Sequence, residues 1–164
     1  MDIKKSNDLQ KLYQLIKTAD IVITSYKPGD AKKLFVDYET LSAINQKIIY
    51  GDISGYTTSN KAGYDAIIQA ETGFMYMNGN PDSEPTKMPV ALIDILSAHQ
   101  LKEGILVALL NREKTLKGDL VEVSLFDSAI ASLSNQATNW LVANKNPERI
   151  GSKHPNIVPY GTVF

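Results

Sequence analysis

The chain has 164 residues, of which 43% are hydrophobic and 21% charged, a composition typical of a chain of one domain's length that buries a core. Seventeen basic and eighteen acidic side chains give a net charge of −1, which argues against a dominant nucleic-acid-binding surface. The absence of cysteine excludes disulfides, thiolate catalysis and cysteine-based zinc sites, and two histidines are too few for a histidine-rich metal site.

The predicted elements alternate between helices and strands. Apolar residues on one helical face predict a helix over 9–16, and the wholly apolar run Ile21–Ile23 then predicts a strand buried on both faces. The remaining predicted elements are helices near 31–35 and 39–44, a strand at 47–53, a helix at 64–72, a loop at 78–85, a long apolar helix at 93–110, a strand at 120–123 and a helix from 125 to about 144. This alternation predicts an α/β fold with a partial, Rossmann-like parallel sheet and helical cover.

The two ends of the sequence are unusual for such a fold. The first strong element is a helix that feeds a strand, and residues 154–164 end on an apolar, strand-like run. We therefore expect the chain to be a segment of a larger domain.

The longest apolar runs, such as Ile105–Leu110, are far too short to cross a bilayer, and residues 1–6 show no signal-peptide pattern. We expect a cytoplasmic protein without a membrane partner.

One carboxylate stands alone in an apolar run. Asp94 lies within 90–96, with apolar neighbours on both sides. An ionised carboxylate that leaves water is costly unless it is hydrogen-bonded, paired or protonated, and desolvation raises its pKa. From the residue alone, Asp94 is either the cap of a helix that begins at Ile95 or a functional group. Asp127 differs, because it follows Ser124 in a capping-box pattern, and we interpret it as structural.

Several stretches of the sequence carry a family resemblance, because they occur in one order with matching gaps. They are residues 19–29, 49–56, 63–70, 104–110 and 154–160. Together they resemble the family III CoA-transferases, or CaiB/BaiF family, which includes formyl-CoA transferase, the carnitine CoA-transferases and α-methylacyl-CoA racemase. The resemblance covers a middle segment only. It implies that residues 1–164 form part of the large, CoA-binding and catalytic domain, without its first strands and without the small domain.

The resemblance also implies a catalytic role for one residue. Asp94 falls where the transferases keep the aspartate that attacks an acyl-CoA thioester. CoA would pass through an aspartyl acyl anhydride and an aspartyl-CoA thioester to a carboxylate acceptor. This chemistry needs no metal or redox cofactor, since CoA enters as a substrate. The intact proteins are homodimers by the same resemblance, and we expect the isolated segment to have little or no activity.

Two further segments match stretches that contact CoA in the transferases. The implied CoA-binding residues are Ser25, Tyr26, Lys27, Lys33, Ala62, Gly63, Tyr64 and Asp65. Family members often have Asn-Phe in place of Ser25-Tyr26 and Arg in place of Lys33, and a lysine supplies the charge without bidentate geometry. Lys27 and Lys33 are equally compatible with ordinary solvated surface charges.

Two alternatives to a transferase remain at this point. The racemases resemble this segment but have histidine in place of Tyr64, where it forms an acid/base pair with the catalytic aspartate. A tyrosine phenol ordinarily has a pKa of about 10 and is a poor base at neutral pH, which favours acyl transfer over racemisation. The second alternative is a non-catalytic remnant, or one half of a split gene that needs a partner chain.

Overall fold

The computed structural model describes residues 1–59 and 61–157. Its helices and strands, in chain order, are α1 (Ser6–Ile16), β1 (Ile21–Thr24), α2 (Asp30–Lys33), α3 (Tyr38–Ile44), β2 (Ile49–Ser54), α4 (Asp65–Glu71), α5 (Phe74–Met77), α6 (Leu92–Thr115), β3 (Asp119–Ser124), α7 (Leu125–Ala131) and α8 (Ser134–Ala143). The predicted apolar run at 158–164 lies outside the described residues. The α/β prediction is confirmed, and each predicted strand is present.

The strands form a parallel sheet in the order β1-β2-β3. Helices α2 and α3 connect β1 to β2, and α4, α5 and α6 lie between β2 and β3. Parallel strands end at the same edge of a sheet, so the chain leaves β1, β2 and β3 close together. In open α/β sheets this carboxyl edge is where ligands bind.

Helix α6 is the long crossover helix that packs on β2 and β3. Leu101, Ile105 and Ala108 of α6 form a buried cluster with Ile49 of β2. Gly104 lets the helix approach β3 closely, because a Cβ atom there would lie 2.5 Å from Cγ1 of Val121. A crossover helix runs back along the sheet, so α6 begins at the carboxyl edge and ends near the start of β2.

The prediction that β1 is buried on both faces is wrong. Ile21 and Ile23 are 37% and 63% exposed. They pair with Ile49 and Gly51 of β2, so they share the face on which α6 packs. Helix α6 lies over β2 and β3 instead, and this face of β1 is left open. An apolar run predicts a strand, but its burial depends on which helix covers it.

Two further clusters complete the core. On the other face of the sheet, Ile16, Val36, Leu41 and Tyr50 are buried together, and the Tyr50 hydroxyl donates to the carbonyl of Val36 at 2.9 Å. At the carboxyl edge, a second cluster joins α4, α6 and α7. Its buried members are Ile68, Ile93, Leu125 and Ala129. This cluster holds the start of α6 against the end of the sheet.

The helix predicted from 125 to about 144 is two helices, α7 and α8. Their separation coincides with hydroxyl side chains that bond backbone carbonyls of the preceding turn: Ser128 Oγ donates to Ser124 O, and Ser132 Oγ donates to Ser128 O, each at 2.7 Å. Such bonds compete with regular helix geometry. Ser124 is the N-cap as predicted, since the Asp127 N–H donates to Ser124 Oγ at 3.0 Å, while the Asp127 carboxylate accepts from the Ser124 hydroxyl at 2.6 Å rather than from its backbone N–H. Across the described residues, no helix combines the length and apolarity that a membrane span requires.

Candidate functional site

A cavity of about 650 Å³ opens at the carboxyl edge of the sheet. Its volume lies in the range of small-molecule sites. Its wall is built from separate parts of the chain: residues 25–28 after β1, 53–55 at the end of β2, 61–66 before and at the start of α4, Lys87, Ala91, Asp94 and Leu125. We call this the edge cavity.

The structure brings most of the predicted site residues together. The edge cavity is lined by Ser25, Tyr26, Lys27, Ala62, Gly63, Tyr64, Asp65 and Asp94. The exception is Lys33 in α2, which does not line the cavity and whose Nζ lies 3.0 Å from Oδ1 of Asp30. Contact between Lys33 and CoA stays a prediction.

Asp94 is not the cap of its helix. Helix α6 begins at Leu92, and the residue at its N-cap position is Ala91. Asp94 therefore lies within the first turn of the helix. Its side chain is exposed and lines the edge cavity. Among the described residues, no donor forms a hydrogen bond with its carboxylate. The cap interpretation is thus wrong, and the carboxylate is free to contact a ligand.

Asp65 performs the capping instead. Its Oδ2 accepts a hydrogen bond of 2.8 Å from the backbone N–H of Ile93, in the first turn of α6. Its Oδ1 accepts a hydrogen bond of 2.5 Å from Nε2 of Gln69, a fully buried side chain. Both oxygens of Asp65 are used within the protein, and they join the start of α4 to the start of α6. This geometry gives Asp65 a positioning role beside its place in the cavity wall.

The pKa of Asp94 is raised above the ordinary value of an aspartate. Partial burial against the cavity wall is the larger cause, although the side chain is exposed, and the negative charge of Asp65 is the second. A raised pKa strengthens the affinity of the carboxylate for an electrophile as well as for a proton. Asp94 therefore combines free lone pairs with enhanced basicity.

Replacing Asp65 by Asn is expected to lower the pKa of Asp94, because the negative neighbour that disfavours ionisation is removed. The Asn carbonyl can still accept from Ile93, but its amide nitrogen then faces Nε2 of Gln69 and that hydrogen bond is lost, so the fold of the variant is checked by circular dichroism. Titration of the Asp94 carboxyl carbon by NMR measures the shift. Asp82→Asn, an exposed position outside the cavity wall, is the matched control and should leave this pKa unchanged. An unchanged pKa in Asp65→Asn would contradict the coupling.

Two glycines hold segment 61–66 against the end of β2. A Cβ atom on Gly55 would lie 2.5 Å from Cα of Gly63, and a Cβ atom on Gly63 would lie 2.6 Å from Cα of Gly55. The two backbones therefore cross in direct contact. The crossing places Tyr64 on the cavity wall with 61% of its surface exposed, so the ring is not an anchor in the core. Its exposure favours contact with a ligand.

Sequence reasoning missed several residues of the edge cavity. They are Ile53, Ser54, Gly55, Lys61, Ala66, Lys87, Ala91 and Leu125. Lys61 adjoins the predicted segment at Ala62, and this adjacency could have indicated it. Lys87 lies in a polar stretch after a turn-rich loop, and only the path of the chain into α6 brings it to the cavity. Among the described residues, no three His, Cys, Asp or Glu side chains are grouped in a way that could hold a metal ion.

The fold and the edge cavity define a class: an α/β protein with a ligand site at the carboxyl edge of a parallel sheet and a free carboxylate in its wall. A family comparison makes this specific. The model of CoA-transferase family III matches residues 1–164, and the chain belongs to this family.

Characterised relatives and solved structures agree with this assignment. The chain is 36% identical to the succinate–glutarate CoA-transferase of Agrobacterium fabrum, over 99% of this chain and 42% of that protein. It is 33% identical to the acetyl-CoA:oxalate CoA-transferase of Acetobacter aceti, over 98% of this chain and 42% of the relative. A crystal structure of a CaiB/BaiF family protein from Brucella suis superposes with a TM-score of 0.90 at 39% identity, covering 97% of this chain and 43% of that one. The chain thus spans about two fifths of the length of these relatives.

Proposed function

We propose that the protein transfers CoA from an acyl-CoA thioester to a carboxylate acceptor, with Asp94 as the nucleophile. The observation that carries the proposal is the free, partly desolvated carboxylate of Asp94 in the edge cavity. Family membership supports CoA transfer in general, and the relatives named above are CoA-transferases named for succinate and glutarate and for oxalate, all of which are carboxylates. Because the chain spans about 42% of those relatives, the activity is proposed for the intact enzyme.

The proposed reaction needs only the carboxylate and the two substrates. Asp94 attacks the thioester carbonyl carbon of the donor, the C–S bond breaks, and CoA leaves as the thiolate while a mixed anhydride forms. The thiolate then attacks the carbonyl carbon of Asp94, the donor leaves as a free carboxylate, and an aspartyl-CoA thioester remains. The acceptor carboxylate attacks this thioester and releases the thiolate again. Attack of the thiolate on the acceptor carbonyl carbon forms the new acyl-CoA and restores the Asp94 carboxylate.

The cavity wall supports this chemistry in two ways. Ala62, Ala91 and Leu125 give part of the wall an apolar surface, which suits an anhydride that water would hydrolyse. The segments 25–28 and 61–66 supply Lys27 and Lys61, whose charges suit the phosphates of CoA. We propose these segments as the CoA-contacting walls, with the loop after β1 at the position where ligands bind in α/β sheets.

The racemase alternative has less support. In the racemases a histidine pairs with the catalytic aspartate, and this chain has Tyr64 at that place. Within residues 1–59 and 61–157, the edge cavity is not lined by a histidine. The described cavity wall therefore does not contain the histidine of the racemase pair, which favours acyl transfer. Proton exchange at the α-carbon of a 2-methylacyl-CoA would restore the alternative.

The test is a search for the covalent intermediate. Incubation of the enzyme with succinyl-CoA, followed by rapid quenching and digestion, should show CoA on the peptide that contains Asp94. Hydroxylamine should convert this adduct into a hydroxamate on the same residue. An unmodified Asp94 peptide, together with turnover of succinyl-CoA, would overturn the assignment of the nucleophile. The same incubation with residues 1–164 alone measures whether this segment suffices.

A further inference from the structure

Lys87 is a cation of the edge cavity that the CoA-contacting segments do not include. It lies in the stretch between α5 and α6 and lines the cavity together with Ala91 and Asp94. Its side chain is exposed, and among the described residues it takes part in no ion pair. A lysine in a ligand cavity without a carboxylate partner is available to bind an anionic group of the ligand.

The backbone on both sides of Lys87 is anchored. The Thr86 N–H donates to the carbonyl of Met75 at 3.1 Å, and the Met88 N–H donates to Oε1 of Gln69 at 2.9 Å. Gln69 has no solvent exposure, so this second bond is protected from water. Although the lysine side chain is flexible, the position from which it extends is held.

The same buried glutamine links Lys87 to the nucleophile. Nε2 of Gln69 donates to Oδ1 of Asp65, and Oδ2 of Asp65 accepts from the N–H of Ile93, the residue before Asp94. A continuous chain of hydrogen bonds thus runs from Met88 to the first turn of α6. The backbone at Lys87 and the backbone at Asp94 therefore keep one relative position on the cavity wall.

The charges of the cavity explain what this lysine could bind. Its lining includes the cations Lys27, Lys61 and Lys87 and the carboxylates Asp65 and Asp94. A carboxylate ligand that approaches Asp94 meets two negative charges, which repel it. Lys27 and Lys61 belong to the segments proposed for the phosphates of CoA. Lys87, on the stretch that leads into α6, is the remaining cation of the described lining and can offset this repulsion.

We propose that Lys87 binds the second carboxylate of a dicarboxylate substrate, remote from the carboxyl group that reacts. The inference rests on the proposed CoA transfer and adds the residue that selects for the remote carboxylate. One carboxyl group of the dicarboxylate exchanges CoA at Asp94, and the other keeps its charge in the donor, in the acceptor and in the thioester. The ammonium of Lys87 pairs with that retained charge.

The test compares two acceptors of equal length, glutarate and pentanoate, which differ in the remote carboxylate. In Lys87→Met the kcat/KM for glutarate should fall roughly tenfold or more, the effect expected when a charged hydrogen bond is lost, while kcat/KM for pentanoate is unchanged. Lys87→Arg, which keeps the charge, should retain the preference for glutarate. Lys114→Met, at an exposed lysine in the last turn of α6 and outside the cavity, is the matched control.

Each result of this comparison bears on the inference. If kcat/KM of Lys87→Met fell equally for both acceptors, or did not fall for glutarate, the role of Lys87 would be overturned while CoA transfer itself stands. Failure of the unsubstituted enzyme to transfer CoA to either acceptor would overturn the proposed function and this inference with it. A fall in kcat/KM for glutarate alone in Lys87→Met, absent in Lys87→Arg, supports the role of Lys87.

Discussion

Replacing Asp94 by Asn is expected to lower the rate of CoA transfer by at least about 10³-fold, since the reaction loses its nucleophile. The amide is nearly isosteric with the carboxylate but is neutral and a poor nucleophile. The fold should persist, because the side chain is exposed and the first turn of α6 is capped by Asp65 rather than by Asp94. CoA should still bind, since its proposed contacts lie on segments 25–28 and 61–66.

The measurement is steady-state CoA transfer together with the equilibrium binding of CoA. Glu103→Gln makes the same change of group and charge on an exposed position of α6 outside the edge cavity, and it should leave the rate unchanged. If Asp94→Asn retained an adduct that hydroxylamine traps, another residue would be the nucleophile. A loss of CoA binding equal to the loss of rate would show a role in binding rather than in chemistry.

Replacing Gly63 by Ala is expected to destabilise the protein by about 1–3 kcal/mol and to weaken CoA binding. The added Cβ would lie 2.6 Å from Cα of Gly55 and 3.2 Å from its carbonyl carbon. Both groups are backbone, so neither can move aside without displacing segment 61–66 from the end of β2. That segment carries Tyr64 and Asp65, and its displacement would disturb the cavity wall and the cap of α6.

Gly51→Ala is the matched control for this effect. A Cβ atom there would lie 3.1 Å from Cδ1 of Leu101 and 3.3 Å from Cδ1 of Ile105, so it would press on side-chain ends rather than on backbone, and we expect a smaller loss of stability with unchanged affinity for CoA. Urea denaturation gives the free energy of unfolding, and calorimetric titration gives the affinity for CoA. If Gly63→Ala unfolded and bound CoA as the unsubstituted protein does, the close crossing would not be needed for the site.

The contrast between β1 and β2 shows how far periodicity predicts the fold. Strands were predicted at 21–23 and at 47–53, and both are present. Ile49 of β2 is fully buried, whereas Ile23 of β1 is 63% exposed. Both side chains lie on the face where α6 packs, and only the position of that helix separates them. Local sequence specifies backbone conformation, but burial depends on contacts between residues far apart in the chain.

Some residues of the candidate site could likewise be selected from the sequence, and others could not. Asp94, Tyr64 and the loop after β1 could be selected from the sequence, because their residue types and spacing match a family pattern. The cap of α6 could not, since Asp65 and Ile93 are far apart in the sequence and meet only in the fold. Lys87 was missed for a related reason, since only the fold brings it to the cavity wall.

The sequence by itself determined the alternation of helices and strands and the N-cap at Ser124, while its family resemblance pointed to Asp94 as the candidate nucleophile. Periodicity, capping and residue chemistry act over a few neighbouring residues, so they are readable along the chain. Only the tertiary structure decided that Asp65 caps α6, that Asp94 is therefore free, and that Lys87 faces the same cavity. These facts depend on hydrogen bonds and backbone crossings between segments distant in sequence, which exist only once the sheet and its helices have packed.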